Sequence, residues 1–319
     1  MNDLVTVDRL DWAEFAEEYW DKRPVLVRGV QPVPFVAEEV FAAAVRAQEY
    51  DGAPTAQFTV ERTQQGERQE LLPQQADGSL AQYEERLTER LGDRGYALIV
   101  SGFHAFDRKL WSREREFFAG LWAQVGLPLT GAITTMFHGN YDHSPVGVHK
   151  DRFATFMFGL RERKRMRFWA ERPWDEPVSS VVDYQRFVPS SFAVEVEPGD
   201  LLYWPSSYYH VGENCGRRPA TSVNIGVPRD AHKVEYELED LLADLDPRSL
   251  VTAGSRLDLL AGEISAAARV DVPGQVLAAE LPEALQQALQ NAREHSLTQR
   301  VQEVSERRWA AGGFEPVPS

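Results

Sequence analysis

Leu10, Phe15, Tyr19 and Trp20 recur at near-helical spacing among acidic residues, which predicts an amphipathic helix. It stops at Lys22-Arg23-Pro24, where proline discourages continuation. The seven residues from Pro24, Pro-Val-Leu-Val-Arg-Gly-Val, carry branched apolar side chains and a glycine stop and read as a strand. Residues 35 to 48 return to a helical composition. Residues 51 to 80 are rich in Gln, Gly, Glu and Arg and predict a solvated excursion with one short hairpin, a place where a lid could sit. Ala81 to Gly92 and Ser112 to Gly126 read as helices. In the second, Ser112 is the expected N-cap and Phe117, Phe118, Leu121 and Trp122 form the apolar face. Ala97-Leu-Ile-Val-Ser-Gly between them predicts a strand.

From about 130 to 228 short apolar runs alternate with Gly, Pro, Asn and Asp, the texture of an antiparallel barrel or sandwich. After Pro228 the pattern is helical again, through Leu241, Leu242 and Leu245, then Leu257, Leu259 and Leu260, then Leu285 and Leu289. The fold expected is a mainly β core with flanking helices and a C-terminal helical region. Residues 1–230 form the main domain, and 231–319 a helical appendage whose apolar stripes need a partner surface, such as a second copy in a homodimer.

At 319 residues the chain suffices for one large domain with an appendage or for two domains, and 43% hydrophobic with 26% charged residues is ordinary for a folded globular protein. The net charge of −15 argues against direct nucleic-acid binding unless a local basic patch overrides it. The dense basic run is Arg161, Arg163, Lys164, Arg165 and Arg167 around Glu162, and its plainest reading is a solvated strand edge. Cys215 is the only cysteine, which removes internal disulfides and thiolate zinc clusters and is compatible with a reducing cytoplasm. The first residues lack a basic and apolar leader. No stretch approaches the roughly 18 to 20 apolar residues of a spanning helix, so a soluble, unexported protein without membrane attachment is expected.

His149-Lys150-Asp151 puts two metal-ligand side chains at i and i+2, which project to one face of a strand. His210 supplies a third after two apparent strands joined by a Pro-Gly-Asp turn. Two imidazoles and one carboxylate on one face of Fe(II) leave three positions, enough for a bidentate 2-oxo acid and dioxygen. A His-x-Asp tripeptide by itself arises by chance in a chain with seven histidines and then marks a surface turn; the conjunction with His210 is what distinguishes it. His138, Asp142 and His143 compete as ligands, but Gly139, Asn140 and Pro145 around them predict a loop or pocket rim.

The stretch from Val146 to Trp169, VGVHKDRFATFMFGLRERKRMRFW, resembles the metal-binding stretch of JmjC-type oxygenases, especially their bacterial ribosomal-protein hydroxylases. The run Glu197-Pro-Gly-Asp-Leu-Leu-Tyr-Trp-Pro-Ser-Ser-Tyr-Tyr-His is similar to that family's second metal motif, and Phe15 to Arg28 to its entry segment. The resemblance spans about residues 10 to 230. It implies a double-stranded β-helix of the jelly-roll or cupin type, with Fe(II) as cofactor, 2-oxoglutarate as cosubstrate and O2 as oxidant. The reaction implied is hydroxylation with release of succinate and CO2.

The resemblance also implies that a basic residue fifteen positions after His149, here Lys164, grips the distal carboxylate of 2-oxoglutarate. One residue of register would instead turn Arg163 or Arg165 inward. Arg218 is a lesser candidate, because the Arg-x-Ser pattern of another oxygenase group is missing around it. Thr155 and Asn224 match polar family positions near the cosubstrate, and their plain alternatives are strand propensity and cross-strand hydrogen bonding. Val146 departs from family members that carry a hydroxyl there. Trp169, Tyr203, Trp204, Tyr208 and Tyr209 are either channel wall or core, and Glu213 and Asn214 either orient the His210 ring or form a turn.

The expected activity is therefore hydroxylation of an amino-acid side chain in a protein or peptide, or of a free amino acid. The acidic chain favours a cationic target. Two other readings stand beside it: a metal-binding cupin with isomerase or non-catalytic binding function, and an interaction module centred on the helical tail.

Overall fold

A computed structural model of the chain describes residues 4–49, 56–66, 69–128 and 131–229. The helical appendage expected over 231–319, and dimerisation through it, lie outside these residues.

The chain runs β1 (Val5–Val7), α1 (Trp12–Glu18), β2 (Val25–Val27), α2 (Ala37–Gln48), β3 (Ala56–Val60), β4 (Thr63–Gln64), α3 (Leu80–Leu91), β5 (Tyr96–Ser101), α4 (Arg108–Val125) and β6 (Ile133–Gly139). It continues through β7 (Phe153–Arg161), β8 (Lys164–Trp169), β9 (Phe192–Val196), β10 (Leu201–Trp204), β11 (Tyr209–Asn214) and β12 (Ala220–Pro228).

Two of the predicted helices, α1 and α3, start where a side chain satisfies their first N–H groups. Asp11 accepts from the amides of Ala13 and Glu14, and Ser79 from that of Gln82. α4 differs from expectation, starting at Arg108 rather than after Ser112, because the Asp107 carboxylate accepts from the Lys109 and Leu110 amides at 3.0 Å. A carboxylate at this end also meets the helix dipole, which a hydroxyl one turn later cannot match. The excursion over 51–80 does contain a hairpin, β3–β4. However, β3 also pairs with β5 and so extends a sheet.

A nine-stranded sheet has the order β1-β2-β10-β7-β12-β6-β5-β3-β4, and a three-stranded one the order β11-β8-β9. Apart from the parallel β1–β2 pair, their ladders are antiparallel. A mainly β core with flanking helices results, consistent with a jelly roll.

Strand alternation divides the interior. One face of the large sheet sends Phe156, Phe158, Tyr203, Val223 and Ile225 into a cluster with Phe15, Phe41, Leu87 and Phe118 of the helices. The other face meets the small sheet through Met157, Met166, Phe168, Leu202 and Trp204. The outer face of the small sheet is covered by Trp174 and Tyr184, packed with Val148, Trp169 and Val211. The predicted Pro-Gly-Asp turn joins β9 to β10. There Gly199 has φ 92°, and Asp200, 4% exposed, accepts from the Glu197 and Gly29 amides. That pins the entry strand β2 beside β10.

Candidate metal centre

His149 and Asp151 lie in the extended segment that leads into β7, and His210 lies in β11. Main-chain bonds in both directions tie the two histidines, His149 N–H to the His210 carbonyl at 3.1 Å and the reverse at 2.8 Å. Just before His149, Gly147 lets the Val181 backbone pair with Val148. Its φ is 75°, and a Cβ there would stand 2.3 Å from the Val181 carbonyl oxygen.

Asp151 Oδ1 is 3.6 Å from His149 Nε2, and Asp151 Oδ2 is 3.5 Å from His210 Nε2. One ligand atom from each residue falls within 4.8 Å of the others. His149 Nδ1 faces the Gly147 carbonyl at 3.0 Å, and His210 Nδ1 faces the Tyr208 carbonyl at 3.4 Å. A carbonyl only accepts, so each ring donates from Nδ1 and leaves Nε2 facing Asp151. Burial, with the neighbouring His210, holds the His149 pKa below its ordinary value. Burial would raise that of Asp151, but hydrogen bonding and charge from His210, then His149, outweigh it and hold the carboxyl low. Both directions favour the ligand forms, neutral imidazole and carboxylate.

The three residues open into a cavity of about 290 Å³ between the sheets, which Lys164, Thr155 and Asn224 also line. The structure decides the register left open in the basic run. Lys164 is 5% exposed and donates to Ser222 Oγ at 3.1 Å, and its Nζ lies 5.6 Å from the Phe137 ring centre and 5.5 Å from that of Tyr141. Arg163 and Arg165 turn outward to Glu195, and Arg167 to Glu213. Arg218, with its side chain 84% exposed, lies near Glu162. Among the described residues, then, the Lys164 ammonium has no carboxylate partner. Ser222 passes the contact on by donating to Asn224 Oδ1 at 3.3 Å.

Other expectations need correction. His138 belongs to β6, not to a loop. It is fully buried, and its two ring nitrogens meet Tyr96 Oη and Thr221 Oγ1 on the helical side. Burial, reinforced by Arg161 and Lys164, pushes its pKa down to about 3, so the ring is neutral. Asp142 and His143 do lie in a loop at the rim of a separate cavity, as expected, where Asp142 is exposed and His143 packs against the Tyr184 ring. Glu213 and Asn214 continue β11 instead of turning or reaching His210. Glu213 accepts from Arg167 and Tyr184, and Asn214 donates to the Gly139 carbonyl. Of the five aromatics, Trp204 lines the cavity, its ring 5.1 Å from that of His210 and its buried Nε1 without a hydrogen-bond partner among the described residues. Trp169, Tyr203 and Tyr208 are core, and Tyr209 lies under the Lys150 ammonium. Ser222, Phe137 and Tyr141 were missed; alternation from Asn224 would have put Ser222 on the same face.

No protein-family model matches the chain. Nor does any curated protein. Among solved structures, the chain is similar to an X-ray structure of Escherichia coli ycfD at 17% identity, covering 92% of this chain and 71% of that one with a TM-score of 0.48. A crystal structure of Escherichia coli ribosomal oxygenase YcfD matches at 17% identity, with 92% and 70% covered and a TM-score of 0.47. A structure of that oxygenase in complex with cobalt and 2-oxoglutarate matches at 16% identity, with 92% and 69% covered and a TM-score of 0.46. These neighbours are of the kind that the sequence motifs resemble. At such low identity the chemistry rests on the geometry above.

Proposed function

We propose that this chain is an Fe(II)- and 2-oxoglutarate-dependent hydroxylase built on a double-stranded β-helix. The observation that carries the reading is the buried Lys164 ammonium, without a carboxylate partner among the described residues, in the same cavity as a two-histidine, one-carboxylate group. A buried cation left so is costly unless an anion joins it. A dicarboxylate that chelates a metal at one end and reaches Lys164 with the other meets both demands.

In this reading His149 and His210, through Nε2, and Asp151, through its carboxylate, would hold Fe(II). The bound iron supplies activation of O2 coupled to decarboxylation of the 2-oxo acid, giving succinate, CO2 and a hydroxylated carbon. The protein's own part is to bind and orient. Lys164 and Ser222 receive the distal carboxylate, and Thr155 and Asn224 offer polar atoms along its length. The orphan Trp204 indole N–H is a further donor beside His210. Phe137, Met157 and Met166 keep water from the cavity floor.

The target is a side chain of a protein or peptide, or a free amino acid, and the net charge of −15 favours a basic partner. No helix of the described residues is long and apolar enough to cross a membrane. The alternative of a metal-binding cupin with isomerase or binding function lacks a use for Lys164.

Anaerobic addition of Fe(II) and 2-oxoglutarate to apo-protein tests the reading, through the visible metal-to-ligand charge-transfer absorbance. A band is expected in the wild type, lost without either histidine, and requiring more 2-oxoglutarate in Lys164→Ala. No band despite measured iron binding would overturn it in favour of the non-oxygenase cupin.

A further inference from the structure

The cavity is charged at its floor and centre and aliphatic at its mouth. Among the described residues that line it, Asp151 and Lys164 are the charged ones, and the proposed function assigns both. At the mouth stand Ile133 and Val146, whose exposures of 46% and 48% make them two of the most exposed large apolar side chains described. Ile99 and Phe153 are half-buried beside them.

Register explains the platform. In β6, Ile133, Thr135 and Phe137 share the cavity face, and Ile99 of β5 pairs with Phe137. Gln57 of β3 pairs in turn with Ile99 and is exposed. The large sheet thus continues past the three-stranded sheet as a shelf, leading from an exposed amide over aliphatic side chains to the centre. Opposite Ile133 in β12 stands Gly226, over which the Phe153 side chain packs, 3.3 Å from where a Cβ would stand.

A guanidinium or ammonium brought to the mouth would lose hydration and find no carboxylate that the metal centre has not claimed among the described lining residues. An aliphatic side chain there removes its own surface and that of Ile133 and Val146 from water.

We infer that the side chain presented to the centre is uncharged and aliphatic, of leucine, isoleucine or valine type, and that Ile133 and Val146 select it. The inference rests on the proposed function and narrows its substrate. The net negative charge acts at long range on the partner as a whole, while the rim discriminates at contact.

The test uses the full chain with Fe(II) and 2-oxoglutarate under argon and capped pentapeptides Gly-Gly-X-Gly-Gly, with X leucine, isoleucine, asparagine or arginine. Binding is followed by the protein's own tryptophan emission and then, in air, by succinate formation. The leucine and isoleucine peptides should bind at least about tenfold more tightly than the arginine peptide, and Val146→Asp and Ile133→Asp should each abolish or reverse that order. Both positions are exposed, and either variant suffices if the other does not fold. Tighter or equal binding of the arginine peptide, binding of none, or an aliphatic preference unmoved by the substitutions overturns the inference. The charge-transfer band of the same samples separates the levels. Without it the oxygenase reading fails; with it but without the preference, only the substrate inference fails.

Discussion

The two faces of β12 are made from alternate residues of one strand, yet they solve opposite problems. Val223, Ile225 and Val227 point to the helices and join an apolar cluster in which Phe156 lies 5.1 Å from Phe118 and 4.8 Å from Tyr203, centre to centre. Ser222, Asn224 and Gly226 point to the cavity and keep polar atoms and space there. Each face holds a buried ionisable group, and the two differ in how burial is tolerated. On the helical side, burial raises the pKa of Glu114 from its ordinary value near 4.5 to about 8 against the pull of a hydrogen bond with Thr134, so the carboxyl is neutral at neutral pH. On the cavity side Lys164 has a hydroxyl and two ring faces but no carboxylate. The dry face neutralises its acid, whereas the cavity face holds a basic side chain that a ligand can use. Apolar burial on one side offsets the cost of the polar lining on the other.

The contrast breaks most completely at the metal group. His149→Ala or His210→Ala should cut Fe(II) affinity at least about 100-fold, since loss of outer hydrogen-bond partners alone typically costs about 10–100-fold. Equilibrium dialysis measures it, and thermal unfolding should change little by comparison. The converse substitution, Phe156→Ala, should cost about 3–5 kcal/mol in urea unfolding, because a fully buried ring would leave a cavity among five aromatic neighbours. Any protein that folds should still bind metal.

Lys164→Met sharpens the comparison further. It should weaken 2-oxoglutarate binding about 10–100-fold in calorimetry while leaving metal affinity intact. It should also raise the melting temperature of the protein without 2-oxoglutarate, because an apolar group replaces a buried cation. A fall in that temperature would mean that Lys164 serves the fold rather than a ligand.

The smallest effect is confined to a pH window. A carboxyl whose folded pKa is raised contributes stability that is fully present below about 4.5 and lost as pH rises through about 8. Wild-type melting temperature should therefore carry a downward component across that window, and Glu114→Gln should lack it. Identical pH profiles would remove Glu114 from this account.

Much of the site was legible because period-two alternation transmits directly from chain to sheet. The spacing of His149 and Asp151, the Pro-Gly-Asp turn before His210, and the texture of 130–228 all describe local geometry that survives folding. Where two local rules competed, the sequence was ambiguous. Ser112 is the helix cap expected from the chain, but the Asp107 carboxylate meets two amides and starts the helix one turn earlier. His138 is followed by turn-forming residues, yet the β5 and β12 ladders on either side of it draw it into a strand.

What the sequence by itself determined is the order of elements, the identity of the three ligand-type side chains and the presence of one basic cluster beside them. Only the tertiary structure decided which member of that cluster is buried, since Arg163, Lys164 and Arg165 differ by single steps of a register that a strand does not set alone. Pairing of Lys164 with Val196 and Asn214 turned it inward, and Glu195 took both arginines outside. The aliphatic mouth was invisible for a related reason. Ile99, Ile133 and Val146 are far apart in the chain, and β5, β6 and the turn before His149 bring them to one cavity.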